Sequence, residues 1–409
     1  MQAKFGNSMP MTGKALIALY VVLNPFYFWG SGLPQLADLI LVLLITWVFA
    51  SAFWGSRDSR RVERNSIFAQ KFLILIAAFV YYATLVNLVW ALIYSEKATF
   101  IRSALFLLFN FFTLVAVSYL VLHFTSDLIR VLQKSLIVSI VIQSIFAVLM
   151  IGSQGQRTRL FFNNPNQLGY FALLVAALLI VLFAFRKIPL LLHMLSLFAC
   201  LFLTAASLSR GAIVAALFLV VCAVVFETHG LSIKLRFSIK KLILVTFLLA
   251  IFALLLRAPL EILFASWGER SEVKSSDSSG AFAERGYERI FENVQYWVLG
   301  AGEGGLPRFD TTLELHSLLG NVFFSYGLIG FVLFAGSIYT IIRKHVASLI
   351  PFGAVFLYGL SHNGMRDGFL WILIALSGSM ILVFQRSAAV NQPRTESKPI
   401  PNELETQIL

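Results

Sequence analysis

Cysteine is nearly absent from this chain: Cys200 and Cys222 are the only two in 409 residues, and both lie inside apolar runs. That excludes a disulfide framework and a CxxC metal site. Charge is also sparse, at 13% of residues against 59% hydrophobic, which excludes a soluble globule. Short alternating segments are missing, so a transmembrane barrel is excluded too. No repeat of about 20–50 residues is visible, which leaves out a solenoid.

What the chain has in excess is apolar length, including 39 Phe. Runs of about 20 apolar residues recur from end to end. Hydrocarbon offers backbone groups no water partner, so helices are the economical way to fill it. The expected fold class is all-α and polytopic, with about 12 transmembrane helices. They are placed at roughly 14–29, 34–54, 71–94, 102–122, 131–151, 167–185, 188–206, 210–226, 240–256, 315–342, 346–361 and 367–385. The first follows Lys4 and Lys14 without a small-residue cleavage site, so it is expected to be retained.

The net charge of +12 invites a nucleic-acid reading, but the basic residues sit mostly in short loops. With the N-terminus inside, 20 of the 32 lysines and arginines fall on the cytoplasmic side. Of the 12 outside, six lie in the long interval 257–314, where the orientation rule is weakest. Nucleic acid is not an expected partner. The chain divides into spans 1–256, an extracytoplasmic loop 257–314, spans 315–386 and a polar, Pro-bearing tail 387–409 expected to be disordered and cytoplasmic.

Within the long loop, Ser271 to Gly280 is Ser-rich and is expected to be flexible. Ala281 to Val298 reads as an amphipathic helix, with Tyr287, Ile290, Phe291, Val294, Trp297 and Val298 on one face. Arg285, Glu288 and Glu292 face the other way, and such a helix would lie on the membrane surface or cap the bundle. Gly300, Gly302, Gly304 and Gly305 then allow a tight turn with close backbone approach.

Of six histidines, only His316 and His362 reach the outer side in this topology. A neutral imidazole is a natural base for a sugar hydroxyl near neutral pH. The plainer reading of His316 is an interfacial residue capping the next helix, with Ser317 packed beside it. Gly327 and Gly330 have an equally plain reading in close helix packing. Arg210, in Ser209-Arg210-Gly211, is either a snorkelling anchor or a pyrophosphate ligand. Arg285 and Arg289 either pair with Glu288 and Glu292 or grip pyrophosphate oxygens two at a time. Asn163-Asn164-Pro165-Asn166 holds more asparagines than one helix cap needs. Ser361 to Asp367 is a second polar outer turn, and Asp38, the lone acid within a span, reads as a structural acceptor.

At these residues the chain resembles the bacterial O-antigen ligase and Wzy-type polysaccharide polymerase superfamily. The sharpest likeness is His316-Ser317, nine residues, then Gly327-x2-Gly330, similar to the ligase pattern His-[Asn/Ser/Gln]-x9-Gly-x2-Gly. Phe331 departs from that pattern. The Asn164–Asn166 turn, the Ser-Arg-Gly at Arg210 and the stretch from Arg285 through Gly300-Ala301-Gly302 add to it. The resemblance implies a GT-C-like glycosyltransferase of the bacterial inner membrane, with both termini cytoplasmic and the site on the periplasmic face. It implies no cofactor and no metal, and the outer loop has no Asp-x-Asp pair to hold Mg2+. Donor and acceptor would be glycans on undecaprenyl pyrophosphate, with membrane lipid and a chain-length regulator as further partners. Arg210 and Arg285 would hold the pyrophosphate, Arg289 standing in reserve for Arg285, and His316 would take the acceptor's proton. Arg159, Asn164, Asn166, His362 and Arg366 are candidate contacts to sugar or acceptor. Polymerase is the first expectation. A ligase delivering the glycan to lipid A-core comes second, and a flippase of the same lipid-linked glycan is the rival from another class, disfavoured by the scarcity of in-span charge.

Overall fold

The structure, a computed structural model, describes residues 8–30, 33–54, 71–94, 97–150, 157–236, 238–255, 285–311 and 313–390, with Arg257, Glu261, Phe264 and Ala265. It is an all-α, multi-pass membrane protein. The chain runs through α1 (Met11–Leu23), α2 (Leu36–Trp54), α3 (Lys71–Ile93) and α4 (Lys97–Met150). Then come α5 (Pro165–Phe185), α6 (Leu190–Ala206) and α7 (Arg210–Val225). A hairpin of β1 (Phe226–His229) and β2 (Ser232–Leu235) leads to α8 (Ile239–Leu255). After the long interval come the short α9 (Glu288–Glu292), then α10 (Leu318–Lys344), α11 (Leu349–Gly359) and α12 (Gly368–Val390). Six of these helices are long and apolar enough to cross a bilayer: α2, α3, α4, α5, α10 and the Gly368–Gln385 part of α12.

Each of the twelve expected apolar stretches falls at least in part on helix, although the first, expected to reach residue 29, ends at Leu23, and that at 346–361 opens on a 3-10 turn. The stretches 102–122 and 131–151 join in α4, which is broken by non-helical backbone at Phe124 (φ −132°, ψ 34°). The hairpin was not expected. It pairs antiparallel from Phe226 opposite Leu235 to His229 opposite Ser232, and turns at Gly230, whose φ of +58° is open to glycine. The last helix runs on to Val390, past the expected start of a disordered tail at 387. Residues 391–409 and Ser271 to Gly280 lie outside the described residues.

The α5 sequence is apolar all round, and such a helix belongs in the middle of a bundle. It is the most enclosed of the candidate spans, with 89% of its apolar window buried, whereas α2, at 22%, turns Leu39, Val42, Leu43 and Phe53 outward as a lipid-facing helix does. α12 packs along α4, and α10 lies against α3. Contacts between loops sort into two ends. At one, Lys14 pairs with Asp127 (2.7 Å), Gln133 donates to the Arg186 carbonyl, and Lys187 donates to the Thr228 carbonyl. At the other, Arg157 donates to the Ser207 carbonyl, Asn163 to the Trp29 carbonyl, and Ser209 meets Tyr358. The candidate residues gather at this second end.

Candidate functional site

The turn before α5 is built by its asparagines. Asn164 is the N-cap: its side chain accepts from the Gln167 amide (3.0 Å), and the Gln167 side chain accepts in return from Asn164 N, with Pro165 opening the helix. Asn163 donates to the Trp29 carbonyl (3.2 Å). Asn166 Oδ1 accepts from Arg157 Nη2 at 2.7 Å, while Arg157 Nε donates to the Ser207 carbonyl at 3.1 Å. The three asparagines are thus spent on one cap, one loop clamp and one arginine. Asn164, expected as a sugar contact, is occupied as a cap, and Arg159 lies exposed on the preceding turn. Arg157 is the residue this turn holds in place, and only the folded contacts single it out.

The loop from Ser207 to Arg210 lies beside it. Leu208 takes a left-handed φ of +49°, and Ser207 Oγ accepts from the Ser209 amide (3.2 Å). Ser209 Oγ and the Tyr358 hydroxyl are 3.0 Å apart, and that hydroxyl donates to the Asn166 carbonyl (3.3 Å). Arg210 opens α7 with its side chain exposed. Gly211 lets α7 close on the end of α11, because a Cβ there would stand 2.6 Å from Ser361 Oγ and 3.0 Å from the Tyr358 ring.

His362 is wedged between aromatic rings, 5.1 Å from Tyr358 in a near-parallel stack (14°) and 4.8 Å from Tyr170. Burial pushes its pKa down to about 4, and the nearby His316 pushes the same way. It is a neutral ring packed among tyrosines. His316 is exposed, and its amide donates to the Arg285 carbonyl at 3.1 Å, so Arg285 and His316 are main-chain neighbours. The cap of α10 is Ser317, which accepts from the Gly320 amide (3.0 Å) and donates to the Gly359 carbonyl (3.2 Å). His316 therefore does not cap the helix.

The expected helix Ala281–Val298 is not formed as one piece. Its described part is α9, a break at Asn293 (φ −124°, ψ 55°) and a 3-10 turn at Val294–Tyr296. Trp297 and the glycines that follow pair with a neighbour instead. Gly327 interrupts α10 (φ 64°, ψ −172°), and the carbonyls freed there accept from the crossing loop. Ala301 N donates to Phe324 O (2.9 Å), Gly302 N to Ser325 O (2.7 Å), and Leu328 N to Trp297 O (2.6 Å). A broken helix is tolerated inside a bundle when protein satisfies it in this way.

Arg289 faces a different compartment from Arg285. It is buried, donates to the Leu313 carbonyl and lines a cavity of about 190 Å3 shared with Arg102, Glu303, Glu314, Asn321 and Arg366. Arg366 is committed to carboxylates, Glu303 at 2.9 Å and Glu314 at 3.2 Å. Glu303 foremost makes its guanidinium hold the proton more tightly than usual. Arg366, expected as a contact to sugar or acceptor, thus has its charge met within the protein by two carboxylates. Glu303, absent from the candidates read in the sequence, is the buried centre of this compartment. It accepts from the Tyr326 hydroxyl (2.8 Å), and its amide donates to Asn87 Oδ1 (2.7 Å). Asn321 Nδ2, on the cavity wall, has no partner among the described residues.

Two compartments thus adjoin at one end of the bundle. One gathers Arg157, Arg285, His316, Tyr358 and the Arg210 loop. The other gathers carboxylates, guanidiniums and an amide around a cavity. Among the described residues no three His, Cys, Asp or Glu side chains form a metal-binding group. Both cysteines are buried free thiols. Compared with known proteins, the chain matches no family model and no curated protein.

Proposed function

We propose that the protein is a metal-independent membrane glycosyltransferase of the polysaccharide polymerase kind, with twelve crossings and a GT-C-like arrangement. It would act at the outer face of a bacterial inner membrane with both termini cytoplasmic. The donor is a glycan on undecaprenyl pyrophosphate, and the acceptor is a sugar hydroxyl of a second lipid-linked repeat unit. The observation that supports this reading is the main-chain bond joining His316 to Arg285, at the end of the bundle that also holds Arg157 and the loop opening on Arg210. On this reading it would bring the base His316 and the guanidinium of Arg285 to one site.

The step is a displacement at the donor's anomeric carbon. The acceptor oxygen forms the new bond as its proton passes to His316, and the bond from carbon to pyrophosphate oxygen breaks. The electron pair leaves with undecaprenyl pyrophosphate. Negative charge grows on that leaving group, so guanidiniums fixed in advance stabilise the transition state more than the ground state. The carboxylate and amide lining of the adjoining cavity suits sugar hydroxyls, which both donate and accept.

The test supplies purified protein with one defined lipid-linked repeat unit. A ladder of products supports the polymerase. Product that forms only once lipid A-core is added means the ligase. In cells, His316→Ala should leave single lipid-linked repeats accumulating outside; accumulation on the cytoplasmic side instead would mean a flippase.

A further inference from the structure

We propose that the opposite end of the bundle carries a second site, one that takes the phosphate headgroup of an anionic membrane lipid. It is independent of the glycosyltransferase reading. A cavity of about 330 Å3 opens where the end of α5, the start of α6, the end of α7 and the β1–β2 hairpin meet. Its walls are apolar, with Ile180, Leu190, Met194 and Ile350 among them, and its polar edge is cationic. An acyl chain and an anionic headgroup need that pairing.

The cations are held in place. Lys187 Nζ donates to the Thr228 carbonyl (2.7 Å), and Lys241 Nζ donates to the carbonyls of Ala223 (3.0 Å) and Phe226 (3.2 Å). Among the described residues neither ammonium has a carboxylate partner. The nearest acid on the lining, Glu227, is taken by Arg236 at 2.8 Å. Lys187, Lys241 and Arg236 against Glu227 leave the edge positive. Burial holds the Lys187 pKa below its usual value and the neighbouring Lys241 pushes the same way, with Glu227 opposing them.

A buried donor or acceptor awaits a partner in the same cavity. His193 is 2% exposed and stacks flat on Phe183 (3.9 Å, 4°), and its Nδ1 has no hydrogen-bond partner. Buried nitrogens are rarely left so, because desolvation without a replacement bond is costly. Lys187 sits on the other hand of the same ring, 4.2 Å from the Phe183 centroid. The wall is firm as well, since Gly230 N donates to Ala184 O (2.9 Å) and Ala347 N to Leu231 O (3.2 Å), pinning the hairpin to the bundle. Lys187 follows the end of α5 by two residues, the level at which a spanning helix meets lipid headgroups.

The experiment uses the full chain in detergent and native mass spectrometry with three probes: phosphatidylglycerol, phosphatidylcholine and inorganic phosphate. Wild type should retain phosphatidylglycerol at least tenfold better than phosphatidylcholine. The variant Lys187→Gln/Lys241→Gln keeps amide donors for the carbonyls and loses the charge, and should lose that preference. Equal retention of the two lipids, or an undiminished preference in the variant, overturns the proposal. Displacement of the lipid by equimolar inorganic phosphate overturns the lipid assignment in favour of a free anion. A second measurement needs no variant. A photoactivatable anionic phospholipid should crosslink wild type within Lys187 to Met194, and crosslinks confined to other segments count against the site.

Discussion

Replace Gly327 by alanine, and the new methyl group must sit 2.2 Å from the Val298 carbonyl oxygen and 2.7 Å from Gly300 N. Both are backbone atoms, so no side chain can swing away. The backbone there (φ 64°, ψ −172°) is itself a region nearly reserved for glycine, which costs a side-chain-bearing residue about 1–3 kcal/mol. Relief requires the crossing loop to lift, breaking the bonds from Ala301, Gly302 and Leu328, each worth about 0.5–1.5 kcal/mol. The expected loss is about 3–6 kcal/mol. The control lies in the same helix: at Gly336 a Cβ meets only Leu75 Cδ1, at 3.8 Å. Alanine there should be neutral or stabilise by about 0.5–1 kcal/mol through helix propensity. Thermal midpoints of purified protein in one detergent compare the two directly. If Gly327→Ala melts with wild type, the paired loop is not what completes the broken helix.

Four further outcomes are expected. His316→Ala should slow chain extension by about 10²–10⁴, the usual worth of a positioned base, with the thermal midpoint unmoved because His316 is exposed. Arg285→Ala should lower kcat by about 10²–10³, whereas Arg289→Ala should act on acceptor KM and stability, as read by steady-state kinetics with varied acceptor. Glu303→Gln leaves Arg366 with one carboxylate and should cost about 3–5 kcal/mol in a denaturation series; Glu303→Gln/Arg366→Met should recover part of it. His362 gives a pH signature. Its folded pKa of about 4 lies below the unfolded value of 6.5, so the unfolded chain binds the extra proton between them, and stability falls on acidification through that window. At pH 5 the loss is about 2 kcal/mol relative to pH 8, and His362→Phe should flatten that slope in melts taken across the range.

The helices were legible because each apolar run is bounded by residues that physically end it. Asn164-Pro165 opens α5, Ser209 precedes α7, Ser317 caps α10, and Arg343-Lys344 close it. Interruption was harder to read. Phe124 and Gly327 break α4 and α10 without any loss of local apolarity, since the partners that compensate come from distant segments. The hairpin from Phe226 to Leu235 was missed because four-residue strands carry too little pattern, although Gly230 marked its turn. The glycines at 300–305 did announce a close approach. What they approach, Ser325-Tyr326 for Gly300 and Trp90 for Gly302, belongs to the fold alone. The same holds for Arg157 and Glu303, whose partners Asn166, Ser207, Tyr326 and Arg366 are gathered by packing.

Arg285 and Arg289 show why the compartments are separate. Residues four apart on a helix share a face, and on that ground either arginine could replace the other. The chain does not allow it, because Gly286 turns with φ +72° and α9 starts only at Glu288. Arg285 therefore stays on the exposed turn whose carbonyl binds His316, while Arg289 enters the bundle, donates to the Leu313 carbonyl and lies 5.5 Å from the Phe309 ring. A guanidinium buried against a carbonyl and an aromatic ring is held in place; the one on the exposed turn is the one the proposed reading would set against the leaving group. On the proposed reading, the glycine at 286, not the spacing of the arginines, would decide which of them meets the pyrophosphate.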